Sequence, residues 1–278
     1  MELARPESVS DAVASLGNGS VALAGGTELI PLLRDRIVSA ETLVELRRAI
    51  PRGVQGTTIG AGTTLGELEV DPQIPDALRE ACRLAASPQL RAAGTIGGNL
   101  LQATRCWYWR LKFPCRLHGG ETCHARAGQH GEHAFFGNGY CASAHPSDVA
   151  AALVALGATM RTTKRELPVA DLYRLPTEDD RRTTTLDAGE LILELDVPRP
   201  GRSAYLKAME RQRWSFPIVG VAVARTGDER RIVLAGAAPI PWVLDSPNAL
   251  GDATPLPGTA YKVEIAEALV RRALEAVA

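Results

Sequence analysis

The sequence predicts a mixed α+β chain, built as one larger unit with a smaller one or as two lobes with a cleft. Three observations carry that prediction. At 278 residues and 29.6 kDa the chain exceeds one average domain and falls short of three. Short apolar runs of strand length alternate with short stretches of helical period. Hydrophobic residues make up 45% and charged residues 23%, ordinary for a globular protein that buries its own core. The net charge of −1 offers no basic footprint for nucleic acid. No apolar run approaches the ~20 residues that span a bilayer.

The elements follow in order. Ser8 to Leu16 reads as a helix with Val9, Val13 and Leu16 on one face and Ser10 or Asp11 as its cap. Gly17-Asn18-Gly19 ends it. Val21 to Ala24 has the apolar character of a buried parallel strand. Gly25-Gly26-Thr27 follows, then a helix over Glu28 to Arg36 carried by Leu29, Leu32 and Leu33. Thr42 to Leu46 is a second strand, so roughly the first 50 residues form a small α/β lobe. Thr57 to Thr64 is Gly/Thr-rich and β-prone; Leu65 to Glu69 and Pro75 to Ala86 read as helices. Pro146 to Ala158 is a further helix. Strands are expected at Glu190 to Val197, Tyr205 to Ala208, Ile218 to Ala224 and Arg231 to Ala235, and an amphipathic helix at Val263 to Val277.

Between residues 103 and 141 the pattern dissolves, with no sustained period of 2 or 3.6. An unordered loop of that length is unusual in a compact domain unless something else orders it. It contains four of the five cysteines, spaced Cys106-x8-Cys115-x7-Cys123-x17-Cys141, and four of the five histidines. Met1 to Pro6 lacks a basic stretch followed by an apolar one, so the cytoplasm is the expected compartment and a disulfide framework is not expected. The spacing matches neither a bacterial ferredoxin nor a zinc ribbon. Four thiolates in one loop still suit a cluster or metal cage, because ligation supplies ordering energy that apolar burial does not. Free thiols are the alternative. His118, His124, His130 and His133 are expected as solvated loop residues, with His124 the candidate to replace a cysteine ligand. Cys82 lies on an apolar helix face and reads as a small buried hydrophobe.

Two turns share a chemistry: Ala24-Gly25-Gly26-Thr27-Glu28 and Thr95-Ile96-Gly97-Gly98-Asn99. Paired glycines let a backbone approach a ligand closely, and successive free N–H groups make an anion-binding nest. The plain alternative is two ordinary tight turns. Neither matches a Rossmann or Walker A pattern.

Taken in order, Ala24-Gly25-Gly26-Thr27-Glu28-Leu29, Gly94-Thr95-Ile96-Gly97-Gly98-Asn99-Leu100, Pro146-Ser147-Asp148-Val149-Ala150, Glu190-Leu191-Ile192-Leu193 and Tyr205-Leu206-Lys207 form a series. It resembles the FAD-binding medium subunit of the molybdenum hydroxylases, the xanthine dehydrogenase and carbon monoxide dehydrogenase family, over nearly the whole chain. The resemblance implies a two-lobed FAD-binding domain over residues 1–165, with lobes of about 1–53 and 54–165, and a smaller α+β domain over 166–278. It implies that Ala24, Gly25, Gly26, Thr27, Glu28 and Leu29 wrap the FAD pyrophosphate. Thr95, Gly98 and Asn99 would contact phosphates and ribitol, Ser147 and Asp148 the adenosine half, Leu191 and Ile192 the adenine. Lys207 would approach the isoalloxazine ring. Some members carry an acidic residue seven positions after this lysine; Trp214 stands there.

Asn99 and Ser147 are 48 positions apart, far more than in the plain form of the family, and the added segment holds the four clustered cysteines. The subset resembling bacterial aldehyde oxidoreductases and 4-hydroxybenzoyl-CoA reductase carries such an insertion with a [4Fe-4S] cluster. On that resemblance Cys106, Cys115, Cys123 and Cys141 are the expected ligands, with structural zinc as the alternative. The implied role is an electron-transfer subunit that partners a large molybdenum-cofactor subunit and a small [2Fe-2S] subunit. A periplasmic location is open if a partner carries the export signal. A self-sufficient flavin oxidase is the competing class. No Ser-His-Asp, Cys-His or paired-carboxylate constellation stands out, as befits a chain that moves electrons.

Overall fold

The computed structural model describes residues 1–211 and 215–278, so Trp214 lies outside the described residues. The first lobe comprises β1 (Glu2–Ala4), α1 (Val9–Ser15), β2 (Ser20–Leu23), α2 (Leu29–Arg34) and β3 (Thr42–Glu45). Its strands form a parallel sheet in the order β1-β3-β2. Val44 and Ala12 are its fully buried centre. The cap of α1 is Ser8, not Ser10 or Asp11: its extended backbone lies just outside the helix, and its hydroxyl accepts the Asp11 N–H at 3.1 Å. α2 ends two residues earlier than its leucine pattern suggests. Arg36 takes a left-handed φ of 55° there, which no helix can continue through.

The second lobe continues with β4 (Val54–Gln55), β5 (Thr58–Gly60), α3 (Leu65–Leu68), α4 (Asp76–Leu84), α5 (Pro88–Ala93) and α6 (Ile96–Leu100). The cysteine stretch holds the single-turn helices α7 (Trp107–Arg110) and α8 (His124–Ala127), with a 3-10 turn at Arg116–His118 between them. Then come α9 (Asp148–Ala155), β6 (Thr159–Thr162), β7 (Glu166–Pro168) and β8 (Ile192–Asp196). The sheet is antiparallel, β4-β5-β8-β6-β7, with β8 at its middle. The second-lobe sheet therefore draws on chain beyond residue 165. Every residue of α9 is buried, so its alanines and valines face packed neighbours all round.

The smaller C-terminal unit is an antiparallel sheet, β12-β11-β10-β9, from β9 (Arg202–Ala208), β10 (Val219–Thr226), β11 (Glu229–Ala235) and β12 (Trp242–Leu244). α10 (Tyr261–Ala276) packs across β10 and β9. The two-residue period of β10 sorts its side chains. Val219, Val221 and Val223 enter the core under α10, while Ala222 and Ala224 join the core shared with α9. Small residues on that face let α9 approach the sheet.

One buried ion pair ties the two units. Lys207 on β9 donates to Asp148, the first residue of α9, at 2.8 Å, and the side chains are 0% and 2% exposed. Tyr205 also donates to Asp148. Lys207 further donates to the carbonyls of Leu84 at 3.0 Å and Ser215 at 2.7 Å. Replacing Lys207 with Met strands the Asp148 carboxylate in the interior. The expected loss is about 3–5 kcal/mol of stability, read as a lower urea midpoint than wild type.

Candidate functional site

A cleft of about 740 Å³ opens between the two lobes and the C-terminal unit, within the ~300–1,000 Å³ range of cofactor sites. Its wall brings together Ala24, Gly25, Gly26, Thr27, Glu28 and Leu29 from the first lobe with Thr95, Gly98 and Asn99 from the second. Leu191 and Ile192, at the start of β8, add an apolar strip. The C-terminal unit contributes Ser215 to Ile218 and Gly236. Ser147, Asp148 and Lys207 are not on this wall. They stand behind it, in the α9–β9 joint described above.

The glycines explain how the turns meet. A Cβ on Gly25 would sit 2.0 Å from the Ala93 carbonyl oxygen, so the first turn rests on the backbone that leads into the second. Gly26 has a φ of +72°, the left-handed region that glycine enters without strain. A Cβ on Gly98 would meet Thr95 Oγ1 at 3.0 Å and otherwise open space, so that backbone is bare toward the cleft. Among the described residues, the N–H groups of Gly25, Gly26, Thr27, Glu28 and Leu29 donate to no backbone carbonyl. Five successive N–H donors without a backbone acceptor leave this turn able to bind an anion.

Glu28 has partners that no local pattern reveals. Its carboxylate accepts from Arg105 Nη2 at 2.6 Å and from Arg110 Nη2 at 2.6 Å. The Glu28 side chain is only 16% exposed. Arg105 also donates to Gln102 at 2.8 Å, and its guanidinium lies 4.5 Å over the Phe216 ring. Burial brings Arg105 down to about 10 despite the Glu28 charge. Both arginines flank Cys106, so the first flavin-type turn and the cysteine stretch are clasped together.

Asn99 is oriented from behind. Its Oδ1 accepts the Ser147 hydroxyl at 2.6 Å, while that hydroxyl caps α9 by accepting the Ala150 N–H at 2.9 Å. His145 lines the cleft beside them, its ring meeting Tyr173 edge-on with the centroids 4.7 Å apart.

The cysteine stretch is ordered by arginines bound to carbonyls rather than by helix or sheet. Arg116 donates to Tyr140 at 2.7 Å, Arg126 to Gly139 at 2.8 Å, and Arg181 to Arg116 at 3.0 Å. Phe135 and Phe136 anchor its end in the C-terminal core. Cys106, Cys115, Cys123 and Cys141 are free thiols, and Cys106 lies on the cleft wall. Burial pushes the Cys106 thiol up to about 11, with the charges of Cys141 and Cys115 adding. Burial also raises Cys141, helped by Cys123 and Cys115. The four thus share one neighbourhood. Among the described residues no group of three or more His, Cys, Asp or Glu side chains converges on a single-ion site. Cys82 is fully buried on α4, and burial raises its thiol.

His133 departs from the expected solvated loop histidine. It is 3% exposed, its Nε2 lies 3.3 Å from Cys106 Sγ, and it lines the cleft. Burial lowers it to about 4. Lys262 of α10, which sequence reasoning missed, is fully buried behind it. Its ammonium donates to the carbonyls of Glu132 and His133 at 2.9 Å each and Gly236 at 3.3 Å, and burial lowers it to about 8.

Comparison with known proteins follows the same lines. The family model described as the FAD binding domain in molybdopterin dehydrogenase matches residues 1–200. The aldehyde oxidoreductase FAD-binding subunit PaoB of Escherichia coli is 32% identical over 250 residues, 83% of this chain and 79% of that one. The carbon monoxide dehydrogenase medium chain of Afipia carboxidovorans is 41% identical over 107 residues, 34% of this chain and 37% of that one. A solved Cu,Mo-CO dehydrogenase, in its cyanide-inactivated form, superposes with a TM-score of 0.70 at 25% identity, covering 100% of this chain and 97% of its counterpart.

The cleft-lining His145 gives the fold a pH dependence of definite sign. Burial pushes its pKa from an ordinary 6.5 down to about 3. Between those limits the unfolded chain holds a proton that the folded chain does not. Its contribution is therefore full above about pH 6.5 and is lost as pH falls toward 3. Each pH unit across that window costs about 1.4 kcal/mol. Urea unfolding at pH 5.5 and 4.5 should show this increment in wild type and its absence in His145→Leu.

Proposed function

This chain belongs to the family of FAD-binding domains in molybdopterin dehydrogenases, and we propose that it is the FAD- and [4Fe-4S]-carrying electron-transfer subunit of a molybdenum hydroxylase-type complex. The observation that carries the reading is a single cleft whose wall holds a row of free N–H donors at one place and Cys106 at another. The relatives are named as an FAD-binding subunit and as a medium chain, which supports a complex with a large molybdenum-cofactor subunit and a small [2Fe-2S] subunit. No helix among the described residues is long and apolar enough to cross a membrane.

The residues present suit FAD. The N–H groups of Gly25 to Leu29 hold the pyrophosphate. Glu28 alone would repel that anion, but two guanidiniums over one carboxylate leave the turn locally positive. Thr95, Gly98 and Asn99 take the phosphates and ribitol from the opposite lobe, with the Asn99 amide held by Ser147. Leu191 and Ile192 give the adenine an apolar seat. Asp148 and Lys207 keep the start of α9, and so Ser147, at its place. When bound, FAD supplies the exchange between two-electron and one-electron chemistry.

Four cysteine thiols gathered in one insertion have the donor chemistry of an iron–sulfur cluster, with structural zinc as the alternative. Cys106 lines the cleft, so a cluster that it held would adjoin the flavin site.

Two variants separate the two cofactors. Protein purified without air should carry about one FAD and roughly four iron atoms per chain. Cys115→Ser should remove the iron and leave FAD largely bound, since Cys115 does not line the cleft. Gly25→Ala drives a Cβ into the Ala93 carbonyl and should weaken FAD binding by tenfold or more, about 1.4 kcal/mol. Iron near zero with zinc near one per chain in wild type would sink the cluster assignment, and substrate turnover by the isolated chain would sink the subunit reading.

A further inference from the structure

We propose that His133 is a positioning residue that sets the reduction potential of the centre held by Cys106, by donating a hydrogen bond to its sulfur. The inference rests on the reading above that Cys106 is a cluster ligand.

His133 Nε2 lies 3.3 Å from Cys106 Sγ, within hydrogen-bond range for sulfur. A ligating cysteine is a thiolate and only accepts, so the ring nitrogen facing it must carry the proton. The ring has little freedom to turn away. The His133 backbone N–H donates to His130 O at 2.9 Å and its backbone carbonyl accepts Lys262 Nζ at 2.9 Å. Trp107 meets the imidazole edge-on at 5.4 Å. The lysine that pins this backbone comes from α10, so the C-terminal unit fixes a contact made to the cysteine stretch.

The other ring nitrogen points to the second half of the arrangement. Nδ1 is buried and has no partner among the described residues. With Nε2 protonated it is an acceptor, and His133 lines the flavin cleft. Cys106 and His133 both line the cleft, so the contact between them adjoins the cleft's occupant.

The sign of the effect follows from charge. Reduction adds one electron to the cluster and breaks no bond. An N–H aimed at a ligating sulfur stabilises the more negative, reduced state more than the oxidised one, and so raises the potential. One hydrogen bond to a charged group shifts the oxidised-to-reduced ratio about tenfold, which for a one-electron couple is about 59 mV.

The test is a dithionite titration of the whole chain, followed by the cluster's electron paramagnetic resonance signal, with iron and flavin content measured on each sample. His133→Leu should keep its iron and titrate about 59 mV lower than wild type. His133→Gln, whose amide nitrogen reaches the same sulfur, should recover most of the shift. An unchanged midpoint in His133→Leu with iron retained overturns the inference and leaves the cluster reading standing. If His133→Leu loses its iron, His133→Gln and His133→Asn decide. A Gln midpoint near wild type with a lower Asn midpoint supports the role; equal midpoints overturn it. Wild-type protein without iron overturns the cluster reading and this inference with it.

Discussion

One carboxylate holds the working parts of this chain together. Glu28 belongs to the first glycine turn, and its two oxygens are each taken by an arginine from the cysteine stretch at 2.6 Å. Partly buried charge-assisted bonds of this length are among the stronger polar contacts in a protein. Removing either cation would leave charge in a place that water barely reaches. The clasp also solves an electrostatic problem. A bare acid beside this glycine turn would repel a phosphate, and the second guanidinium reverses the local sign. The segment that carries the cysteines thus leaves the turn fit for the anion that the proposed function places there.

The C-terminal sheet works from behind the cleft. β10 sorts valines to one face and alanines to the other, so α10 and α9 pack on opposite sides of the same strand. α10 then sends Lys262 through to the carbonyls of Glu132, His133 and Gly236. All three acceptors are neutral backbone oxygens, which is why burial moves the lysine down. Three good hydrogen bonds offset much of the cost of placing an ammonium there. They also couple the wall of the cleft to a helix far away in sequence.

How much of this was legible in the sequence depends on range. Helices and strands with clear periods stand close to where the pattern puts them, because burial of one face enforces the period. The glycine turns were legible as turns with unusual chemistry. Local details failed where one residue's backbone decided the outcome, as at Ser8 and Arg36. The Glu28 clasp joins residues 77 and 82 positions apart, and no period or spacing records such a pairing. His133 was unreadable for the same reason: the groups it meets, Trp107, Cys106 and Lys262, all lie far from it in sequence. The cysteine stretch looked unordered because guanidinium–carbonyl bonds order it, and those leave no hydrophobic rhythm.

The buried Asp148–Lys207 pair fits this logic of position over raw stability. An apolar pair of the same volume often packs as well or better than a buried ion pair, so stability alone is a weak reason for it. Direction is a stronger one. Lys207 binds Asp148, the Leu84 carbonyl of α4 and the Ser215 carbonyl at once, which fixes β9 against two helices in a single register. Asp148 follows Ser147 directly, and the Ser147 hydroxyl holds the Asn99 amide at the cleft wall. A shift of α9 along its axis would break the pair and turn Asn99 away together. Non-directional burial would let α9 slide. The ion pair, invisible from the cleft, thereby sets the orientation of a group that faces it.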